Sequence, residues 1–279
     1  MKRSRLFSPL LLAFAFLFPV SCSDDPTGTT ATELLVIEAF LFAGEPVRDV
    51  RVTETIPLSS EDKTPVPIND AAVRLIRDGV AYDLVPSGTG GYYEYPGDLA
   101  VAVGDRFAIE VTYRGETATG ETMVPPPPRD LVLSSSVVYA REFGRGRTRG
   151  GGGISDPSEE LGVTWSNPHR LLHFVVVESI EDDPEPIIPD EIRQRIGGGF
   201  RFVSTPTDDD ATTITALTLE FLGQHRLRVY RINEEYAQLY QNREQDSRDL
   251  NEPPSNIRNG LGVFSAFSSD SAFFTVLRR

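Results

Sequence analysis

Three histidines, one serine and lysine at matching spacing, and a surplus of carboxylates are the groups in this chain that could do chemistry. His169 and His173 stand four residues apart, which on a helix would place two imidazoles on one face, as metal ligands often are. Pro168 and the β-rich run that follows argue for a loop histidine and a strand histidine instead, and no HExxH pattern completes the pair. Ser60 and Lys63 formally spell SxxK, but the SDN and KTG partners that accompany such a nucleophile are missing, as is any GxSxG turn. Glu181 to Asp183 with Asp190 and Glu191, and Asp208 to Asp210, offer oxygen ligands without the alternating calcium loop and its central glycine. They read as solvated acidic loops. No pair of acids is singled out for glycoside hydrolysis. The expectation is a chain with no catalytic residue, no metal site and no cofactor.

The remaining reactive group is the single thiol, Cys22. It follows a cationic start (Lys2, Arg3, Arg5), an apolar run from Leu10 to Phe18, and the small residue Ser21, the order of a cleaved bacterial lipoprotein signal. The apolar run falls short of the roughly 20 residues that span a bilayer. A free thiol is a poor choice for a protein simply released into an oxidising compartment. Cys22 is therefore expected to carry the lipid, with acyl chains such as palmitate, and residues 1–21 to be removed. Pro19 stands where many such signals carry leucine. Ser23, Asp24 and Asp25 then lead into a polar tract to residue 32 that has nothing to bury and reads as a tether.

Removing residues 1–21 takes away Lys2, Arg3 and Arg5 and moves the formal net charge from −14 to −17. So acidic a surface argues against nucleic acid as a partner, because phosphate binding rests on clustered Lys and Arg. It argues equally against adsorption onto anionic lipid. Arg145, Arg147 and Arg149, between glycines and threonine, form a local positive island that reads as a hairpin tip, with contact to an acidic partner surface or lipopolysaccharide phosphate as the alternative. With one cysteine no disulfide can staple the fold, so its stability must come from apolar cores.

Two β-rich halves meet at Pro125–Pro128, a run that cannot enter a sheet interior. The expected boundaries are a first domain over 33–124, a proline linker over 125–128 and a second domain over 129–279. In the first, ELLVIEAFLF is apolar on both parities, as in a strand covered on both faces. Phe107, Ile109, Val111 and Tyr113 alternate with Ala108, Glu110 and Thr112, the period of a half-buried strand. Asp78 and Gly79 mark a two-residue hairpin turn between Ala71–Arg77 and Val80–Val85. Short strands at this spacing predict an immunoglobulin-like or transthyretin-like β-sandwich. In the second half, Leu161, Val163 and Trp165 share one strand parity. Strands are also expected over Leu171–Val177, Thr213–Leu222 and His225–Arg231, with Leu227 and Val229 inward and Arg226 and Arg228 outward. Ile232, Tyr236, Leu239 and Tyr240 line one face of a helix near 232–246, which Asn233 is placed to cap. A last strand is expected over Ala272–Leu277. The fold class is thus mainly β, a sandwich followed by a β-rich domain with one helix.

The lipoprotein start, the tyrosine-bearing strand Tyr92, Tyr93 and Tyr95, the stretch WSNPHRLLHFVV, the tyrosine-rich helix and above all SNIRNGLGVF (Ser255–Phe264) together resemble the Bacteroidota lipoproteins called domain of unknown function 4249. CSDD likewise resembles the surface-export signal of such lipoproteins. The resemblance covers nearly the whole chain after Cys22 and supplies no catalytic residue. It implies an outer-membrane protein, lipid-anchored and facing the cell exterior, that acts as a binding or accessory component beside a TonB-dependent receptor. A surface carbohydrate-active enzyme and a structural adhesin are the alternatives. In Ser255–Phe264, Asn256, Arg258 and Asn259 are the candidate partner contacts, while Ile257, Leu261, Val263 and Phe264 could instead plug the second core.

Overall fold

Asp78 and Gly79 both take positive φ, 51° and 79°, and turn the chain between two antiparallel strands whose register runs from Arg77 opposite Val80 to Val73 opposite Leu84. This is the hairpin that the dipeptide predicts, since positive φ at both positions suits the twist of the flanking strands. The computed structural model describes residues 34–56, 60–62, 64–140, 159–187, 201–241 and 254–279. The first half contributes β1 (Leu35–Phe42), β2 (Asp49–Glu54), β3 (Val66–Pro67), β4 (Ala72–Arg77), β5 (Val80–Pro86), β6 (Tyr92–Glu94), β7 (Arg106–Tyr113) and β8 (Glu116–Met123). After Pro125–Pro128 come β9 (Arg129–Leu133), β10 (Val137–Ala140), β11 (Glu160–Ser166), β12 (His173–Ser179), β13 (Arg201–Val203), β14 (Ala211–Thr215) and β15 (Gly223–Arg231). The helix α1 (Glu234–Gln241), β16 (Ile257–Arg258) and β17 (Leu261–Arg278) complete the chain, which is mainly β as expected.

β17 organises the rest. Its first residues pair in parallel with β1, from Val36 opposite Leu261 to Phe42 opposite Phe267. Its later residues pair antiparallel with β15 and in parallel with β10. One sheet of 14 strands therefore carries elements from both sides of the proline run, and a separate sheet of three, β14–β11–β9, faces its second part. β17 is far longer than the expected Ala272–Leu277. Residues 263–268 are buried at every position, so they show no alternation to read. The expected strand Thr213–Leu222 is also interrupted: after β14 the chain forms a short 3-10 turn at Ala216–Thr218.

Three cores follow from this layout. The first lies among β1, β2, β4, β7 and β8, with Ile37, Leu75, Ile109 and Tyr93 at its centre. The second fills the gap between the three-stranded sheet and the second part of the large one, where Leu161 and Val163 meet Val175, Leu227, Val229 and Phe274. The third is aromatic and joins β1 (Phe40, Phe42) to β12 (Phe174), β15 (Tyr230), β17 (Phe267) and α1 (Tyr236). β1 thus has Ile37, Ala39 and Leu41 in one core and Phe40 and Phe42 against another, as its double apolar parity implies.

The helix is fastened where the sheet strands diverge. Asn233 precedes it, and its carbonyl accepts the Ala237 N–H. The Asn233 amide donates to the Met123 carbonyl at 2.9 Å. Glu235, in the first turn, accepts from the hydroxyls of Thr122 (2.9 Å) and Ser265 (3.2 Å), so the helix bridges β8 and β17. Glu234 and Glu235 also suit the positive end of the helix. Among the described residues no helix is long and apolar enough to cross a membrane.

Candidate functional site

Trp165 ends the inward parity of β11, behind Leu161 and Val163, and the next residues turn the chain toward β12. Asn167 holds that turn. Its side-chain oxygen accepts the Leu171 N–H at 2.8 Å, and its amide donates to the carbonyls of Leu171 (2.9 Å) and Asp208 (2.8 Å). Arg170 takes φ of 51° and pairs with the Asp208 carboxylate at 2.7 Å, which holds that carboxyl below its usual range. The stretch WSNPHRLLH therefore folds over one end of the second core and is tied to the loop through Asp208 and Asp209.

His173 emerges from this turn as the first residue of β12, 2 % exposed, its ring 5.6 Å from that of Trp165. Register then sets a row across three strands: His173 stands opposite Arg231 on β15, and Arg231 opposite Ser268 on β17. All three occupy the parity that faces the second core, with Val175, Val229 and Ala272 further along the same strands. Among the described residues, Trp165 Nε1, His173 Nδ1, Arg231 Nε and Ser268 Oγ are buried and meet no hydrogen-bond partner. Buried polar groups are nearly always satisfied, so these atoms are exceptions to the pattern of the fold. Burial drives the His173 pKa down to about 4, against the opposing pull of the Leu171 carbonyl, and the nearby Arg231 charge lowers it further. The imidazole is therefore neutral at neutral pH.

Arg231 differs from the other part-buried arginines. Arg77 has Asp105 at 3.0 Å, Arg226 has Glu178 at 2.6 Å, and Arg228 has Glu45 at 2.8 Å. No hydrogen bond or ion pair to Arg231 occurs among the described residues, and desolvation alone lowers its pKa. The signal for it lies in the sequence: on β15 the parity that puts Leu227 and Val229 inward also puts Arg231 inward. Ser268 carries no comparable signal, because only the register with β15 brings it to the row.

The sequence-derived candidates are placed differently. His169 is exposed in the turn and His173 buried on the strand, so the two do not form one site. His225 is also buried, stacked on Phe274 with Nδ1 3.0 Å from the Gly223 carbonyl, and burial lowers its pKa. Among the described residues no group of three His, Cys, Asp or Glu is gathered to hold a metal ion. Cys22, Ser23, Asp24, Asp25, Lys63, Asp190, Glu191 and the arginines of Arg141–Gly153 lie outside the described residues.

Ser255–Phe264 is mostly strand rather than loop. β16 pairs with β8, Asn259 turns at φ 57°, and β17 begins at Leu261. Asn256 accepts the Phe264 N–H at 2.9 Å and donates to the Phe264 carbonyl at 2.7 Å and the Glu121 carbonyl at 3.2 Å, stitching β17 to β8. Asn259 donates to the Thr117 carbonyl at 3.3 Å. Ile257 and Phe264 plug a core, but it is the first core and not the second, because β16 adds to β8. Arg258 stands exposed beside the turn.

No curated protein matches the chain. Among solved structures, domains A168–A170 of titin align with 88 % of this chain and 68 % of that one at 10 % identity, with a TM-score of 0.22. The family model described as "Domain of unknown function (DUF4249)" matches residues 24–272, through the WSNPHRLLH turn and the SNIRNGLGVF strands into β17, and the chain belongs to that family.

Proposed function

We propose that this chain is a lipoprotein of the outer membrane, anchored through Cys22 and facing the cell exterior, that serves as a binding or accessory component of an envelope complex of the TonB-dependent receptor type. The observation that carries the reading is the segment from Lys2 to Cys22, a cationic start, a short apolar run and a lone thiol behind a small residue. Ser23, Asp24 and Asp25 support export to the surface. In this reading the first half is an immunoglobulin-like or transthyretin-like sandwich, a module suited to presenting loops on a rigid frame.

Cys22→Ala is expected to abolish membrane attachment, because no other thiol can take the lipid. Each buried CH₂ of an acyl chain contributes roughly 0.8 kcal/mol, so two or more chains hold durably and none does not. Fractionation after a high-salt wash checks this. Variant protein that still sediments with membranes would refute the lipid as anchor.

Partner docking is tested at Arg258, exposed next to the buried Ile257. Arg258→Glu is expected to weaken co-purification of a receptor from detergent-extracted native membranes, with a stability change within about 0.5 kcal/mol, as for other surface sites. A stable variant that keeps every partner would remove this turn from the interface.

A further inference from the structure

We propose that the outer face of β17, β15 and β12, centred on Phe273, binds a neutral oligosaccharide. Alternation sends Phe274 and Val276 of β17 into the second core and turns Phe273, Thr275 and Leu277 the other way. Of the thirteen large apolar residues exposed among the described ones, five share this face: Phe273 and Leu277 of β17, Tyr139 opposite Leu277 on β10, Ile180 beside Gln224 of β15, and Val203 opposite Val176 of β12. Single exposures need no explanation, but a cluster marks a surface that something covers. Phe273 is the most exposed of them, at 60 %. Groups that hydrogen-bond surround it: Ser271 and Thr275 along its own strand, Arg226 directly opposite on β15, and Gln224 and Arg228 to either side of Arg226.

Charge, size and shape together select the ligand. Arg226 pairs with Glu178 at 2.6 Å and Arg228 with Glu45 at 2.8 Å, so neither is an unmatched cation, and the chain's formal net charge of −14 opposes an anion. The face spans β13, β12, β15, β17 and β10. At about 4.8 Å between strands and about 3.4 Å per residue from Ser271 to Leu277, it measures roughly 20 Å by 20 Å, or about 400 Å². That is about half of the roughly 800 Å² that each partner buries in a standard protein interface, yet it accommodates several sugar rings. An open sheet face holds a ligand from one side only, without the enclosure of a pocket, so affinity must accumulate along a repeating chain. A pyranose chain meets all three conditions. The C–H bonds of one ring face lie against the negative face of an aromatic ring, and the hydroxyls at the ring edge reach the surrounding polar groups. Paired Arg226 and Glu178 suit such hydroxyls, the guanidinium donating and the carboxylate accepting. This goes beyond the envelope reading and stands without it.

The test uses the full chain in lauryldimethylamine oxide, a detergent without a sugar headgroup, with cellohexaose and maltohexaose as probes. Saturation-transfer NMR is expected to show saturable binding, strongest at the ring C–H protons of the sugar. Phe273→Ala should weaken the apparent affinity about fivefold to tenfold, the size of one aromatic contact, with the melting temperature unchanged. Phe273→Leu, which keeps apolar bulk without the ring, should weaken it as well, and it serves if Phe273→Ala fails to fold. Val132→Ala, at a residue of similar exposure on β9, should change nothing. Tighter binding of cellohexaose assigns the face to extended chains, and tighter binding of maltohexaose to curved ones. No saturable binding of either probe, tighter binding of a galacturonate hexamer than of both, or equal weakening by Phe273→Ala and Val132→Ala would each overturn the proposal. Light scattering that shows a dimer dissociated by Phe273→Ala would overturn it too, by assigning the face to a second copy of this chain.

Discussion

Gly262→Ala should destabilise the protein by about 3 kcal/mol or more, near the top of what one substitution does. Gly262 lies on β17 opposite Ile37 of β1, with φ at +108°. A β-carbon there would sit 2.1 Å from the Ile37 carbonyl oxygen and 2.8 Å from its carbon. Those atoms are backbone and belong to the strand pairing itself, so the contact can be relieved only by parting β1 from β17. Gly104 offers the comparison: its φ is +89°, but a β-carbon there meets nothing within 4 Å. Gly104→Ala should cost only the strain of the left-handed backbone, about 1–2 kcal/mol. Urea unfolding of both variants separates crowding from strain. Equal losses at the two sites would mean that β1 and β17 do not approach this closely.

The second large effect is expected at Phe267. Its ring lies 5.0 Å from Phe42 and 4.8 Å from Tyr236, centroid to centroid, with Phe40, Phe174 and Tyr230 slightly further away. Phe267→Ala would empty the middle of the aromatic core that joins β1, β12, β15 and α1, at a cost of roughly 3–5 kcal/mol. Phe273, six residues along the same strand and 60 % exposed, should tolerate alanine within about 0.5 kcal/mol. Comparable losses for the two would mean that Phe267 is not the hub of that core.

What could be read from the sequence depended on whether the signal was local. The Asp78–Gly79 hairpin, the alternation of Phe107, Ile109 and Val111, and the parity of Leu227 and Val229 all depend on residues within a few positions of one another, and all appear in the fold. The helix is likewise where Tyr236 and Leu239 place it, described over Glu234–Gln241. SNIRNGLGVF misleads as a loop because Gly262 looks like a turn residue, whereas its task is close approach to Ile37. The row of His173, Arg231 and Ser268 is beyond local reading. His173 was legible as a strand histidine, but its neighbours are set by the register of β15 between β12 and β17, which no single segment encodes.

The pairing of Val36 with Leu261 also bears on when the molecule can fold. A chain that emerges from its amino end displays β1 early, yet the strand beside which β1 lies in parallel comes more than two hundred residues later. Contacts between such distant positions are slow to form, because the loop entropy is spent before the contact returns anything. The second core waits on the same strand, through Phe274 and Val276. Neither half can finish early and shelter the other during synthesis. The growing polypeptide is therefore expected to stay open until β17 has been made, and then to close in a step governed by that strand.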